Sequence, residues 1–344
     1  MSESRYSGPV RRSRKERGGP YSTQRSQEKE NGGCETVRPE TPPRIQPGIA
    51  EQVNERTDTD AKIIGDRYLF LENLEGSNLK RAIDLVTKRE LACRAVSRQA
   101  GASILQAHFR LEFSQFVAQP VEIVSAGTEQ FIFYQKNFGD LHGLVRDRLV
   151  RDEEHARVLL YQIVNAVYDC HCAGIVLTDL KMRRFVFTDK AKTKIVLETL
   201  EDATILQTDN DVQSYRRVGH PAYLSPEAIC SSRGGSYSGF KADIWGLGVI
   251  IYTVLIGRYP FNDQNPLALF SKILQGHYYL PDDLSSHAKC MIRNLLRKDP
   301  FERLTAEDLL AHPWFAESED IIDKTGSVEV FDEINNDQIV PSAN

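Results

Sequence analysis

The chain has 344 residues, 41% of them hydrophobic, which is enough for a domain of about 250 residues with its own core and polar tails. A net charge of −5 argues against nucleic acid as a partner. The six cysteines form no CxxC pair, and no apolar stretch at the start resembles a signal peptide. We therefore expect reduced thiols, no metal site, and a location in the nucleus and cytoplasm.

Residues 1–61 are rich in Arg, Glu, Ser, Gly and Pro and contain few aromatic residues. Such a segment cannot bury enough apolar surface to offset the entropy of ordering, so we predict a disordered N-terminal region. The basic run Arg11–Arg17 fits either a nuclear-import signal or an ordinary solvated charge run.

The chain then changes character, with strand-like segments first and helical segments afterwards. The predicted strands are RYLFLENL (67–74), RELACRAV (89–96) and EQFIFYQKN (129–137). One helix is predicted within 101–117, and a longer one within 150–174, with Asp152 as its N-cap. This order predicts an α+β fold with a small β-rich lobe and a larger α-helical lobe.

The second half closes with two further signals. The apolar run Ile244–Gly257 is too short to span a bilayer, so we expect a buried core helix and no membrane partner. Thr305 and Asp308 have the spacing of a capping box at the start of a last helix. Residues 316–344 then carry eight acids against a single lysine, which predicts an extended acidic tail.

The segment GIVLTDLKMRRFVFTD (174–189) resembles the catalytic loop of protein kinases, H-R-D-L-x-x-x-N. Asp179 and Lys181 stand where that motif places its catalytic base and lysine, whereas Arg184 replaces the metal-binding Asn. Further kinase-like segments follow in order: AYLSPE ending at Glu227, DIWGLG beginning at Asp243, and Arg303 as the expected partner of Glu227. The resemblance implies a bilobal kinase-like domain over residues 62–315.

The departures from the kinase pattern fall on the groups that handle phosphate and metal. The glycine-rich loop retains only Gly76, and Arg94 replaces the strand lysine. Thr199-Leu200-Glu201 stands for D-F-G, and a threonine cannot replace an ionised aspartate opposite Mg²⁺. We therefore expect no Mg²⁺ site and weak or absent ATP binding.

The same departures predict how the empty site is filled. Arg184 is expected to pair with a nearby acid, Glu201 or Glu198, and so to lock the site. Asp202 is three residues out of register with the lost aspartate, so we do not expect it to reach inward as a replacement.

Together, DLKMRRFVF, the T-L-E segment, RGGSYSGFKADIWGLG and LFSKILQG resemble the Tribbles pseudokinases. The resemblance implies an adaptor that holds a transcription factor of the CCAAT/enhancer-binding type, with Thr199, Leu200 and Glu201 as a substrate-docking switch. It also implies a tail motif that recruits an E3 ubiquitin ligase of the constitutive-photomorphogenic type: Asp337, Gln338, Ile339, Val340 and Pro341. The tail either remains available to the ligase or docks in cis beside the small lobe's helix.

A second motif implied by the resemblance binds a MAP kinase kinase and would modulate MAP kinase signalling. It comprises His312, Pro313, Trp314 and Phe315. Ordinary packing at the end of the last helix explains His312 and Trp314 equally well. The rival to the adaptor is a weakly active, atypical serine/threonine kinase that uses Asp179 and Lys181.

Overall fold

The computed structural model describes residues 63–64, 67–74, 79–206, 212–214 and 219–316. The predicted disordered region 1–61, Gly76 and the tail motif Asp337–Pro341 all lie outside these ranges. The expectations for them stay predictions.

The small lobe is an antiparallel sheet with one helix packed on it. Its elements are β1 (Ile63–Ile64), β2 (Tyr68–Asn73), β3 (Lys80–Asp84), β4 (Glu90–Ser97), α1 (Arg98–Leu111), β5 (Glu122–Ala126) and β6 (Glu129–Gln135). The described strands pair in the order β1-β2-β3-β4-β6-β5. The three strands predicted from the sequence correspond to β2, β4 and β6.

Side chains alternate between the two faces of a strand, and in β6 both sets are buried. Phe131 and Phe133 pack on one face with Tyr68 and Phe70 of β2. Ile132 and Tyr134 point to the other face, where α1 contributes Ile104. The helix therefore covers one side of the sheet and completes the core of this lobe.

Helix α1 spans residues 98–111, whereas the sequence placed it within 101–117. It begins earlier because the Ser97 side chain accepts a hydrogen bond from the Ala100 amide and caps the helix. It ends at Leu111, because the next residue, Glu112, has a φ of 59° that takes the chain out of the helical conformation.

The large lobe is mostly helical. Its helices are α2 (Leu141–Arg146), α3 (Glu153–Cys172), α4 (Pro226–Cys230), α5 (Gly239–Ile256), α6 (Pro266–Gln275), α7 (Ser286–Leu295), α8 (Ala306–Leu310) and α9 (Pro313–Ala316). Three short antiparallel pairs join β7 (Ile175–Val176) to β10 (Thr204–Ile205), β8 (Phe185–Phe187) to β9 (Ile195–Leu197), and β11 (Val212–Ser214) to β12 (Ser236–Ser238).

Local signals in the sequence set the ends of the large-lobe helices. Asp152 caps α3, and Thr305 and Asp308 form a capping box at α8, as predicted. Helix α5 begins at Gly239, five residues before the apolar run, and ends at Ile256, followed by Gly257 with φ 78° as its cap. Of the helices described, α5 alone is long and apolar enough to cross a membrane, but 72% of it is buried inside the lobe.

Candidate functional site

The loop that carries Asp179 is held by a single carboxylate from α5. Asp243 accepts hydrogen bonds from the amides of Leu177 (2.7 Å) and Thr178 (3.0 Å), and its Oδ2 lies 3.1 Å from Nε2 of His171. Thr178 has φ 64°, a left-handed conformation that is unfavourable for a β-branched residue. Asp243, which is 3% exposed, therefore stabilises a strained turn beside Asp179.

The Asp179 carboxylate is buried and paired with two cations. Its Oδ2 accepts from Nζ of Lys181 at 2.5 Å and from Nη2 of Arg184 at 3.1 Å. Gly219 approaches it closely, because a Cβ added there would lie 2.9 Å from Asp179 Oδ1. The carboxylate is thus enclosed on several sides.

Arg184 contacts three carboxylates. Besides Asp179, its guanidinium binds Asp202 and lies 4.0 Å from Oε2 of Glu201. The expectation that Asp202 does not reach inward is therefore wrong: its carboxylate meets Arg184. The pairing with Glu201 is present at longer range, whereas Glu198 accepts from Nδ2 of Asn137 at 3.1 Å.

Arg94 on β4 binds Glu201 rather than an acid on the small-lobe helix. In active kinases the strand lysine pairs with a helix glutamate. Helix α1, RQAGASILQAHFRL, has no acidic residue, so that pair cannot form here. The sequence therefore carries two signs of this loss, Arg94 in place of the strand lysine and the absence of an acid from α1.

Little space remains around these groups. The cavity lined by Asp179, Arg184, Thr199 and Asp202 has a volume of about 10 Å³, which is room for about one water molecule. Thr199 and Leu200 are 7% and 2% exposed. The docking-switch residues therefore present little side-chain surface, apart from the partly exposed Glu201.

A second cavity, of about 220 Å³, is lined by residues of both lobes and of the segment that joins them. Pockets that bind small molecules usually measure about 300–1,000 Å³. Burial raises the pKa of Tyr134, which lines this cavity, to about 12, so its hydroxyl stays protonated. The cavity thus has a mixed polar and apolar lining, with Lys136 and Glu198 as its charged residues, and limited room.

The charges at the site balance in number. Asp179, Glu201 and Asp202 face the cations Lys181, Arg184 and Arg94. A Mg²⁺ ion would have to displace guanidinium groups to reach these carboxylates. Within the described ranges, no group of three or more His, Cys, Asp or Glu side chains has the arrangement to hold a metal ion.

Comparison with known proteins agrees with this architecture. The protein kinase domain family matches residues 82–315. The chain is 44% identical over 280 residues to Tribbles homolog 2 of Canis lupus familiaris, covering 81% of this chain and 79% of that protein. It is 44% identical to Tribbles homolog 3 of Mus musculus, with 80% and 75% covered, and 44% identical to human Tribbles homolog 1, with 72% and 66% covered.

This chain belongs to the Tribbles family. Its fold is the protein kinase fold, with a β-sheet lobe followed by a helical lobe.

The Glu227–Arg303 pair predicted from the sequence is present in this Tribbles fold. Nη1 and Nη2 of Arg303 donate to the two carboxylate oxygens of Glu227 at 2.6 and 2.7 Å. Arg303 also donates to the carbonyls of Lys241, Arg297 and Lys298 and stacks over the Trp245 ring. One buried side chain therefore joins the segment around α4 to the end of the lobe.

The candidate motif His312–Phe315 is mostly buried in the Tribbles domain. Trp314 is fully buried, donates from Nε1 to Oε2 of Glu153 at 3.0 Å, and lies beneath the guanidinium of Arg157. His312 and Phe315 are buried too, so that Pro313 is the exposed member of the motif. Packing accounts for the aromatic residues.

Proposed function

We propose that this Tribbles chain is a catalytically impaired pseudokinase that acts as an adaptor between a substrate protein and an E3 ubiquitin ligase. The observation that carries the proposed catalytic impairment is the contact of Arg184 with Asp179, Glu201 and Asp202. A guanidinium occupies the position from which a kinase would coordinate its metal.

Phosphoryl transfer depends on metal ions that neutralise the developing charge on the phosphate, and electrostatic stabilisation is usually the largest catalytic term. A general base alone contributes typically about 10²–10⁴ in rate. Asp179 can supply the base, but it is held by Lys181 and Arg184. Arg184 occupies the carboxylates that would otherwise be available to a metal ion, which supports the proposal that ATP binding is weak or absent and that no cofactor is used.

Membership of the Tribbles family and the sequence of the tail support the proposed adaptor role. The domain holds a transcription factor of the CCAAT/enhancer-binding type near Thr199-Leu200-Glu201, and Asp337–Pro341 recruits the ligase of the constitutive-photomorphogenic type. Joining both on one chain raises the ligase's effective concentration at its target without any chemistry by the adaptor. The protein works in the nucleus and cytoplasm.

We further propose that the chain modulates MAP kinase signalling by binding a MAP kinase kinase. Because His312, Trp314 and Phe315 are buried, this contact uses Pro313 and the surface around it, or requires the end of the lobe to open.

The enzymatic half is tested by incubating the full chain with labelled ATP and generic substrates, with and without Mg²⁺. We expect no phosphate transfer above background and no Mg²⁺-dependent rise in melting temperature with ATP. Transfer that disappears in Asp179→Asn would overturn the adaptor-only proposal.

The adaptor half is tested with the full chain and the ligase's β-propeller. Val340→Ala/Pro341→Ala should abolish binding and ubiquitination of the substrate, because Pro341 pre-extends the peptide and both side chains serve as apolar anchors. The matched control, Ser342→Ala, lies just outside the motif and should bind as the natural chain does. Equal affinity of the double variant would remove the tail from the mechanism.

One observation favours the rival, a weakly active kinase. Lys181 contacts Asp179 at 2.5 Å, so the two residues that this reading needs are already together. The same phosphate-transfer assay separates the two proposals.

A further inference from the structure

A cleft of about 450 Å³ opens on the large lobe, between the loop that joins α2 to α3 and the C-terminal end of α5. Its apolar surface is provided by partly buried side chains: Val150, Leu255, Ile256 and Leu284. Four arginines also line it: Arg146, Arg148, Arg151 and Arg258. The cleft thus combines an apolar floor with guanidinium groups at its edge.

The acids of the cleft are largely engaged in holding the fold. Asp152 accepts from the His155 amide as the cap of α3, and Glu153 accepts from Ser285 and Trp314. Arg146 is neutralised by the adjacent Asp147.

Arg148 and Arg151 are exposed, and they face one further exposed acid, Asp283. The lining carries four arginines against three acids, Asp152, Glu153 and Asp283, so the net charge of the cleft is positive by one. Positive clefts with apolar floors attract anionic segments that also carry apolar side chains.

The chain leaves the domain beside this cleft. Trp314 of α9 is hydrogen-bonded to Glu153, which lines the cleft, and α9 ends at Ala316. The next seven residues, 317–323, read ESEDIID and lie outside the described residues. They contain four acids and two adjacent isoleucines. Since an extended residue spans about 3.3–3.6 Å, residues 319–322 reach roughly 10–20 Å from Ala316.

We propose that residues 317–323 fold back onto the large lobe and bind this cleft. Glu319 and Asp320 meet Arg148 and Arg151, while the isoleucine pair rests on the apolar floor. The charges are complementary, the linker is only a few residues long, and the exit point shares Glu153 with the cleft.

This inference goes beyond the adaptor proposal and does not depend on it. With residues 317–323 bound in the cleft, the rest of the tail extends from that side of the large lobe. Residues 324–336 then form a tether of 13 residues before Asp337, with a maximum span of about 45 Å.

The test is millisecond hydrogen exchange on the full chain, read by mass spectrometry at peptides covering 317–323. We expect these amides to exchange about tenfold more slowly than an unstructured peptide of the same sequence. Arg148→Glu/Arg151→Glu should remove the protection. The matched control is Lys88→Glu/Arg89→Glu, since these two basic residues are also exposed, and Lys88, like Arg148, has a positive φ.

A charge exchange makes the test specific. Adding Glu319→Arg/Asp320→Arg to the Arg148→Glu/Arg151→Glu variant should restore the protection, because opposite charges again face each other. Unstructured-like exchange in the natural chain, or equal protection in the natural chain and Arg148→Glu/Arg151→Glu, would overturn the proposal. Protection that increases with protein concentration would also overturn it and identify a second copy as the occupant.

Discussion

Single buried side chains carry much of the energy that holds the large lobe together. Arg303 is 3% exposed and donates to one carboxylate and three backbone carbonyls. Removing it leaves Glu227 in a partly buried position without its partner, and breaking such a pair costs about 3–5 kcal/mol.

We therefore expect Arg303→Ala to lower the free energy of unfolding by about 3–5 kcal/mol, as measured by urea denaturation. The control is Arg297→Ala, whose pair with Glu302 is 3.6 Å long and has side chains 51% and 59% exposed. Exposed pairs contribute about 0–1 kcal/mol. Equal losses in the two variants would contradict this assignment.

The pH dependence of stability should report on His108. Burial lowers the pKa of His108 to about 4, and neither ring nitrogen has a hydrogen-bond partner among the described residues. The unfolded chain takes up the proton first, so stability is full above pH 6.5 and falls as the pH drops toward 4. At pH 5 the loss relative to pH 7 should be about 2 kcal/mol.

We expect the free energy of unfolding of His108→Leu, measured by chemical denaturation, to fall less between pH 7 and pH 5 than that of the natural chain, by about 2 kcal/mol. The exposed His277→Leu should follow the natural chain. The same slope in His108→Leu and the natural chain would show that His108 is not buried in its neutral form.

At the scale of elements, α5 sets the geometry of the catalytic-type loop through Asp243. Both carboxylate oxygens are used, one by the Thr178 amide and the other by the Leu177 amide and His171. An asparagine has only one acceptor oxygen, and its amide would face a donor.

Asp243→Asn should therefore destabilise the domain by about 1–3 kcal/mol, the cost of an unsatisfied buried group. It should also speed hydrogen exchange at Leu177 and Thr178. Asp282→Asn, at an exposed position, serves as the control. Unchanged exchange at the loop amides would mean that other contacts hold this turn.

Elements with a strong local signal could be predicted from the sequence. Asp152 and the Thr305–Asp308 box marked helix starts because their side chains bond the adjacent amides. The limits of α1 differ from the prediction because Ser97 caps the helix four residues before the predicted start at Gly101.

The contacts of the candidate site were harder to predict, since they depend on tertiary placement. Arg184 binds Asp202 because the chain turns after β9 and brings Asp202 back toward the loop that carries Asp179. The kinase register predicted which positions had changed, but not where each replacement would point.

At the scale of the whole molecule, the end of the domain is built into its core. Trp314 is fully buried and contacts Glu153 and Arg157 of α3. Any partner that binds the His312–Phe315 segment in the folded domain therefore meets Pro313 first.

We expect Trp314→Ala to cost about 3–5 kcal/mol in unfolding free energy, as for other buried tryptophans, and to lower partner binding only as the domain unfolds. Pro313→Ala, at an exposed position, should leave stability within about 0.5 kcal/mol. The measurement is a pull-down of MAP kinase kinase by the two variants, compared at the same folded fraction. Weaker binding by folded Trp314→Ala would show direct contact through the indole.

The choice of arginine at position 184 also determines what can reopen the site. A histidine or lysine in the same place would release its carboxylates once it lost a proton, but a guanidinium stays protonated at every pH that a cell reaches. Its contacts with Asp179 and Asp202 are partly buried, so added salt screens them weakly. A change of pH or of ionic strength therefore does little to release Arg184, whereas an anion that competes for its guanidinium can displace these carboxylates.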